Sequence, residues 1–305
     1  SICAGPGNPP VVVDANADLE LAGREIVRGA SFDNNVICTD EKVVISVDSA
    51  ADQLLHQMQK NKAYVLREYE LKKLERVIFN EMGEPGKPGR INPRWIGQNA
   101  GSILAEIGIQ AGSDLRLVLA NVPAEHSLVW TEQMMPVMPV VRVRTVDEAI
   151  DLAIRAEHGC GHTASIYSRD VNAITRMARE IDVSIFVANA ANLAGLGDGG
   201  EGYTSFSIAS PTGEGLTRPR SFSRDRRMTV AGGLRIVCCI RPSPSSSSIP
   251  SPSGCTPATR WSNAPQSRSP TPAPSTRAST WFWSAETWHP SRKATAPASP
   301  LVAMP

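Results

Sequence analysis

The sequence has no apolar run of transmembrane length and no broad excess of positive charge. The first absence argues against a membrane partner, and the second removes the electrostatic footprint of a nucleic-acid binder. Up to Val237 there are 25 Lys or Arg against 29 Asp or Glu, a net charge near −4. Cysteine is sparse, and the six at positions 3, 38, 160, 238, 239 and 255 are too scattered for the dense framework of a small secreted fold. No signal peptide is visible, since the chain opens Ser1-Ile-Cys-Ala4 and runs straight into a glycine-proline turn. A soluble protein with reduced thiols in a cytoplasmic setting is expected.

Acids are nearly missing from the last 68 of the 305 residues, which hold six basic residues, the single acid Glu286 and 13 of the 24 prolines. Arg241-Pro-Ser-Pro-Ser-Ser-Ser-Ser-Ile-Pro250 and Thr271-Pro-Ala-Pro274 interrupt regular structure and offer too little periodic apolar sequence to bury. Trp261, Trp281, Trp283 and Trp288 nevertheless fall here, an odd content for a flexible linker. Residues 238–305 are therefore expected to be a low-complexity disordered tail or the product of a reading-frame shift near Val237.

Before that boundary, strands and helices alternate. Pro10 to Val13 reads as a buried strand, and Leu19, Ala22, Ile26 and Val27 recur at helical spacing up to about Ala30. Val43 to Val47 is a second strand, leading into a helix capped by Ser49 or Asp52. A helix over roughly Tyr64 to Asn80, a short one from Asn99 to Ile107 and strands at 115–120 and 137–143 follow. Thr145 and Glu148 make a capping-box pattern. Strand 163–167, a helix after Asp170 and strand 183–187 complete the alternation, and Arg218 to Val237 reads as two strands around a glycine turn. The pattern predicts an α/β fold with a mostly parallel sheet covered on both faces. In such sheets, active groups are expected at the carboxyl ends of the strands.

Several residues invite chemistry. Cys38 follows Asn34 and Asn35 in a polar turn, where a thiol is either inert core filling or a nucleophile. Only Lys42 stands near enough in sequence to pair with it, if it turns back. His158-Gly-Cys-Gly-His162 has the residue types of a metal site, but alternating residues on one short segment rarely converge, and no metal is expected. Gly195-Leu-Gly-Asp-Gly-Gly200 has no amphipathic helix after it to meet a pyrophosphate, so it reads as a loop, as does 210–215. Glu132 is either a solvated loop acid or a contact to a ligand hydroxyl. His126 reads first as a structural hydrogen-bond partner, and Arg218, Arg220, Arg224, Arg226 and Arg227 read either as solvated strand edges or as contacts to phosphates.

Five ordered segments carry a resemblance: Ala4-Gly-Pro-Gly-Asn-Pro-Pro-Val-Val-Val-Asp14, Ser31-Phe-Asp-Asn-Asn-Val-Ile-Cys38, Thr131-Glu-Gln-Met-Met-Pro-Val137, His162-Thr-Ala-Ser165 and Gly197 to Tyr203. Together they resemble the C-terminal half of coenzyme A-acylating aldehyde dehydrogenases of the propionaldehyde and acetaldehyde branch, linked to propanediol and ethanolamine breakdown. The resemblance implies an aldehyde dehydrogenase-like catalytic domain over 1–205, a return segment with oligomerisation strands over 206–237, and an N-terminal cofactor domain largely outside this sequence. It makes Cys38 the catalytic nucleophile and Glu132 the acid that holds the nicotinamide-side ribose of NAD. The implied reaction converts a short-chain aldehyde, NAD and coenzyme A to acyl-coenzyme A and NADH through a Cys38 thioester. It also implies a homo-oligomer at full length, in the cytoplasm or inside a bacterial microcompartment.

Two departures qualify what the family would do here. The glutamate-leucine-glycine-glycine segment of hydrolytic relatives, which activates water, is represented by Cys3-Ala-Gly-Pro-Gly7, so coenzyme A is the expected acceptor. Ala190 stands where a glycine is expected after Asn189, in a loop that needs a permissive backbone. Without the cofactor domain, little or no turnover is expected of residues 1–305 alone. The competing readings are a noncatalytic fragment serving as an interaction module, and a cysteine acyltransferase without redox chemistry.

Overall fold

The computed structural model describes residues 1–200, 202–229 and 231. Residues 1–230 form one compact unit. The elements run β1 (Pro10–Val13), α1 (Leu19–Ala30), β2 (Val43–Val47), α2 (Asp48–Lys60), β3 (Ala63–Val65), α3 (Glu68–Ile78), β4 (Phe79–Glu81), β5 (Arg90–Ile91), α4 (Ala100–Glu106) and β6 (Leu117–Asn121). Then follow α5 (Ser127–Trp130), β7 (Val137–Val143), α6 (Val146–Ala156), β8 (Thr163–Tyr167), α7 (Val171–Glu180), β9 (Ile185–Ala188), β10 (Ile208–Ala209) and β11 (Gly215–Leu216).

Seven of the strands make one sheet in the order β3-β6-β7-β2-β1-β8-β9, and all six of its pairings are parallel. The expected α/β class and parallel sheet are thus observed. Side chains alternate across β1 and β2: Val11, Val13 and Val44 pack beneath α1 and α2 with Ile26, Leu54 and Met58. Val12, Val43 and Ile45 face the opposite layer, with Ile103, Ile150 and Met177. Both faces of the sheet are dry, which is why these strands read as unbroken apolar runs.

Several boundaries differ from the sequence reading. Ala63 to Val65 is a strand in register with Leu117 to Leu119, and the helix assigned from Tyr64 starts at Glu68. Three strand residues are too few to show a period of two. α2 begins at Asp48 directly after the extended Val47, ahead of both proposed caps, and Asp48 and Asp52 sit inside it facing Arg142 at 3.3 and 2.5 Å. Only half of the capping box forms: Thr145 Oγ1 accepts the Glu148 N–H, but the Glu148 carboxylate takes the Arg144 N–H. In the 210–215 loop region, β10 and β11 pair as a short antiparallel hairpin.

Among the described residues of 218–229 there is no strand, only a 3-10 turn at Pro219–Phe222. The rest of the expected strand pair, and all of the 238–305 tail, lie outside the described residues. No helix among the described residues is long and apolar enough to cross a membrane.

Candidate active site

At their carboxyl ends the central strands leave little room for a site. α2 follows β2 without a loop, and α6 begins three positions after the last residue of β7. The long connections enter the strands at their amino ends: residues 1–9 before β1, 31–42 before β2, 122–136 before β7 and 157–162 before β8. Because β7, β2, β1 and β8 are neighbours, these four connections gather at one edge of the sheet. The sequence candidates thus gather at the edge opposite to the one the carboxyl-end rule favours. Gly7, Cys38, Glu132 and His162 all belong to this amino edge.

The Cys38 connection is held in an unusual backbone. After α1 ends, Asp33, Asn34 and Asn35 follow one another at φ 44°, 54° and 63°. Aspartate and asparagine accept this left-handed region better than other side chains. Asn35 then ties the turn at both ends, its Nδ2 donating to Ala30 O at 2.7 Å and Glu41 O at 2.9 Å. Asn34 Nδ2 donates to Gly97 O and Asn99 Oδ1, both at 3.0 Å. The two asparagines therefore organise the loop. Lys42 does turn back, but its Nζ donates to Asn35 O, Asn35 Oδ1 and Ile37 O at 2.6, 2.8 and 3.1 Å, so it acts on the sulfur through its charge and not as a hydrogen-bond partner.

Cys38 is half-buried, and its thiol is pushed up chiefly by burial and secondly by the charge of Glu132. The Cys38 N–H and the Lys42 ammonium pull it the other way. Glu132 is itself half-buried and raised by burial, against the opposing charge of Lys42 and a hydrogen bond from the Gly7 N–H. Cys38 and Glu132, distant in sequence, thus sit within each other's field.

Gly7 closes the site from the β1 side. A Cβ there would lie 2.7 Å from Cys38 O and 2.9 Å from His162 Cγ, so the 3–7 segment passes between the Cys38 loop and His162 only with glycine at position 7. In the sequence His162 stands in a metal pattern and in a segment of the family resemblance, with no role assigned to it. It is fully buried, its Nδ1 lies 2.9 Å from Thr163 Oγ1, and burial, then the Lys42 charge, press it down to about 4, leaving a neutral ring. His158 Nε2 instead meets Trp130 O at 3.0 Å, so the two histidines of that pattern serve different partners.

Beneath the loop lies a buried polar layer. Glu41 is fully buried, and its Oε1 accepts the Asn192 N–H at 2.8 Å while Asn192 Nδ2 donates to Thr39 O at 2.8 Å. Burial above all lifts Glu41 to about 8 and Asp40 to about 7. Gly29 makes room for this carboxylate, since a Cβ on it would fall 2.1 Å from Glu41 Oε2. Asn189 itself takes the left-handed φ of 56°, so Ala190 needs no permissive backbone and the stretch with Ala191 and Leu193 packs inside. The glycine loop that follows opens no helix, the turn at Asn192–Leu196 ending on Gly197.

His126 takes the structural role read for it: Nδ1 accepts the Leu128 N–H and Nε2 meets Glu75 Oε1 at 2.8 Å. Arg218 stacks 5.9 Å from the centre of the Tyr203 ring, and Arg220, Arg224, Arg226 and Arg227 are exposed.

A comparison with known proteins now bears on this arrangement. The profile of the aldehyde dehydrogenase family matches residues 116–207. Over 236 residues, 77% of this chain, the acetylating acetaldehyde dehydrogenase EutE of Salmonella typhimurium is 50% identical. The chain is homologous to the coenzyme A-acylating acetaldehyde and propionaldehyde dehydrogenases. The homology extends to solved structures. Rhodopseudomonas palustris propionaldehyde dehydrogenase with bound CoA and an acylated cysteine is 46% identical, with a TM-score of 0.69 over 73% of this chain and 50% of that one. An engineered glycolyl-CoA reductase with bound NADP+ is also 46% identical, with a TM-score of 0.68 over 73% of this chain and 49% of that one. The chain spans about half the length of the acylating relatives it matches, 50% of EutE.

Proposed function

We propose that this chain carries the nucleophilic part, the C-terminal half, of a coenzyme A-acylating, NAD-dependent aldehyde dehydrogenase, with Cys38 as nucleophile and Glu132 as the cofactor-binding acid. The observation that carries this reading is the convergence of Cys38, Glu132, Gly7 and His162 at one amino edge of the sheet. The acylated cysteine of the Rhodopseudomonas palustris relative supports a thioester on the same kind of residue.

The residues fit the reactive end of the cofactor. Glu132 is a half-buried carboxylate within the field of Cys38, a suitable acceptor for a pair of ribose hydroxyls. The glycines at 195–200, with no helix after them, do not fit a pyrophosphate. NAD, when bound, supplies the hydride acceptor.

The chain's own part begins with the thiol, which rests protonated because burial and Glu132 raise it. After its proton leaves to solvent, Cys38 attacks as the thiolate, its sulfur bonding the aldehyde carbon while the carbonyl electron pair moves to oxygen. The resulting oxyanion is stabilised in part by the Cys38 backbone N–H. Loss of hydride leaves an acyl thioester on Cys38. The coenzyme A sulfur, on losing its proton, then attacks the acyl carbon, the Cys38–acyl bond breaks, and the departing Cys38 thiolate takes up a proton to return to the resting thiol. Residues 3–7 bring no carboxylate to the site to activate water, so transfer to coenzyme A outpaces hydrolysis.

For residues 1–305 alone we expect little NADH from propionaldehyde and coenzyme A, since positioning of the cofactor needs groups that the described residues lack. Acyl transfer in reverse needs no cofactor and tests the site directly. Incubation with propionyl-coenzyme A, followed by peptide mapping, should give a propionyl adduct on Cys38 that Cys38→Ser abolishes. An adduct spread equally over Cys3 and Cys160 would sink the assignment. A cysteine acyltransferase would give the same adduct but no NADH when joined to a dinucleotide-binding half, which separates the two readings. Oligomerisation through 218–237 is proposed for the full-length protein only, in the cytoplasm or within a microcompartment.

A further inference from the structure

Among the described residues, Lys42 is the one lysine or arginine that is fully buried. A buried ammonium is costly unless each N–H is matched and an opposite charge lies near. Here all three are matched, by Asn35 O, Asn35 Oδ1 and Ile37 O. A neutral amine has only two hydrogens and would leave one of these oxygens unmet, so the cradle selects the charged form. No hydrogen remains for the thiol or for a carboxylate, which excludes Lys42 as an acid or base in the reaction.

What Lys42 supplies is position and field. Its three acceptors all lie in residues 35–37, the stretch that ends at Cys38, and they follow directly on the left-handed run at 33–35. Such a run persists only where surrounding structure holds it. The Lys42 N–H also donates to Pro9 O at 2.9 Å, tying the same residue to the segment behind Gly7. Around its charge stand Cys38, Asp40, Glu41, Glu132 and, on the β8 side, His162.

We propose that Lys42 is the positioning residue of the nucleophile: it clamps the turn that presents Cys38, and it is the buried cation beside which the Cys38 thiolate forms. The proposal rests on Cys38 being the nucleophile. Burial holds Lys42 below the ordinary lysine value, with Asp40 and Glu132 opposing it; the three-oxygen cradle favours the ammonium against that burial, and its charge and that of Glu132 compete for control of the thiol.

The test is alkylation of the full chain by iodoacetamide, followed peptide by peptide from about pH 6 to about pH 10, with Cys160 as internal reference. Lys42→Met should slow Cys38 labelling about tenfold at about pH 8, through a midpoint raised by about one unit, while Cys160 keeps its rate. Lys42→Arg keeps the charge but cannot place three donors on the same three oxygens. It should retain the native midpoint with a lower limiting rate at high pH. An unchanged midpoint in Lys42→Met overturns the proposal. If Lys42→Met does not fold, the arginine variant decides, and either a native limiting rate or a shifted midpoint overturns the clamp. If native Cys38 labels no faster than Cys160 at matched thiolate fraction, the nucleophile reading fails, and Lys42 is still judged by the midpoints.

Discussion

Residues 35–42 and residues 43–47 lie end to end in the chain and are both buried for most of their length, yet they are built from opposite materials. The strand half, Val43-Val-Ile-Ser-Val47, is almost wholly apolar and is held by register with β1 and β7. The loop half packs Asn35, Thr39, Asp40, Glu41 and Lys42 into the interior. Burial of the first kind is driven by removal of apolar surface from water. The second kind opposes it: hydrogen bonds from Asn35, Lys42 and Asn192 offset part of the desolvation, while Thr39 Oγ1, both Asp40 carboxylate oxygens and Glu41 Oε2 find no partner among the described residues. Stability and chemistry are thus divided between adjacent stretches of one chain.

The contrast can be tested from both sides. The largest effect should come from the apolar half: Ile45→Ala removes a fully buried side chain and should cost about 2–5 kcal/mol, read as a lower urea midpoint at constant slope. A loss below about 1 kcal/mol would show that the sheet does not hold the loop in place.

A middle-sized effect belongs to the polar half and depends on pH. Glu41 is raised from 4.5 to about 8, so it binds its proton more tightly in the folded chain, and its contribution is full below 4.5 and lost as pH rises through about 8. Asp40, at about 7, adds to the same fall. His162, lowered from 6.5 to about 4, works in the other direction, its contribution being lost as pH falls through that window. Stability should therefore decline from about pH 6.5 to about pH 8, and Glu41→Gln should flatten that decline in a series of denaturant midpoints. A native profile that rises across this interval would contradict the buried, protonated Glu41.

The smallest effect lies outside both halves. Arg176 meets Asp147, Asp151 and Glu180 at 2.6, 2.5 and 3.2 Å on the surface of α7. Arg176→Ala should change stability by no more than about 1 kcal/mol, and less at high salt. A larger loss would mean that surface ion pairs, rather than the dry sheet, carry this unit.

Legibility followed the same division. β1, β2, β8 and the helices α1, α6 and α7 announce themselves by period and caps, because their side chains meet layers that demand a regular spacing. β3 does not, since its three residues depend on β6 for their conformation. The site is less visible still. Asp40-Glu41-Lys42 looks like a solvated charge run, and nothing local shows that Asn35, Asn192 and Gly29 enclose it. Cys38 and Glu132 are proposed through likeness to a family, and no role for His162 is legible because its neighbours Gly7 and Lys42 come from distant stretches of sequence. The carboxyl-end rule presupposes long loops at those ends of the strands, whereas here α2 follows β2 at once and only two residues separate β7 from α6, so the proposed site sits at the other edge.

The four-way convergence at the amino edge has one more consequence. Gly7, Cys38, Glu132 and His162 are each tethered to a different strand, and those strands meet in a defined pairing, Pro10 against Val43, Val44 against Val140 and Val11 against Ser165. A slip of one residue in any pairing would displace one corner by about 3.3 Å and turn its strand's side chains to the wrong face. A misassembled sheet would therefore fail to bring the four corners together. On the role proposed for Cys38, aldehyde oxidation, unlike simple alkylation of a thiol, would thus report that three separate strand pairings have all closed in step.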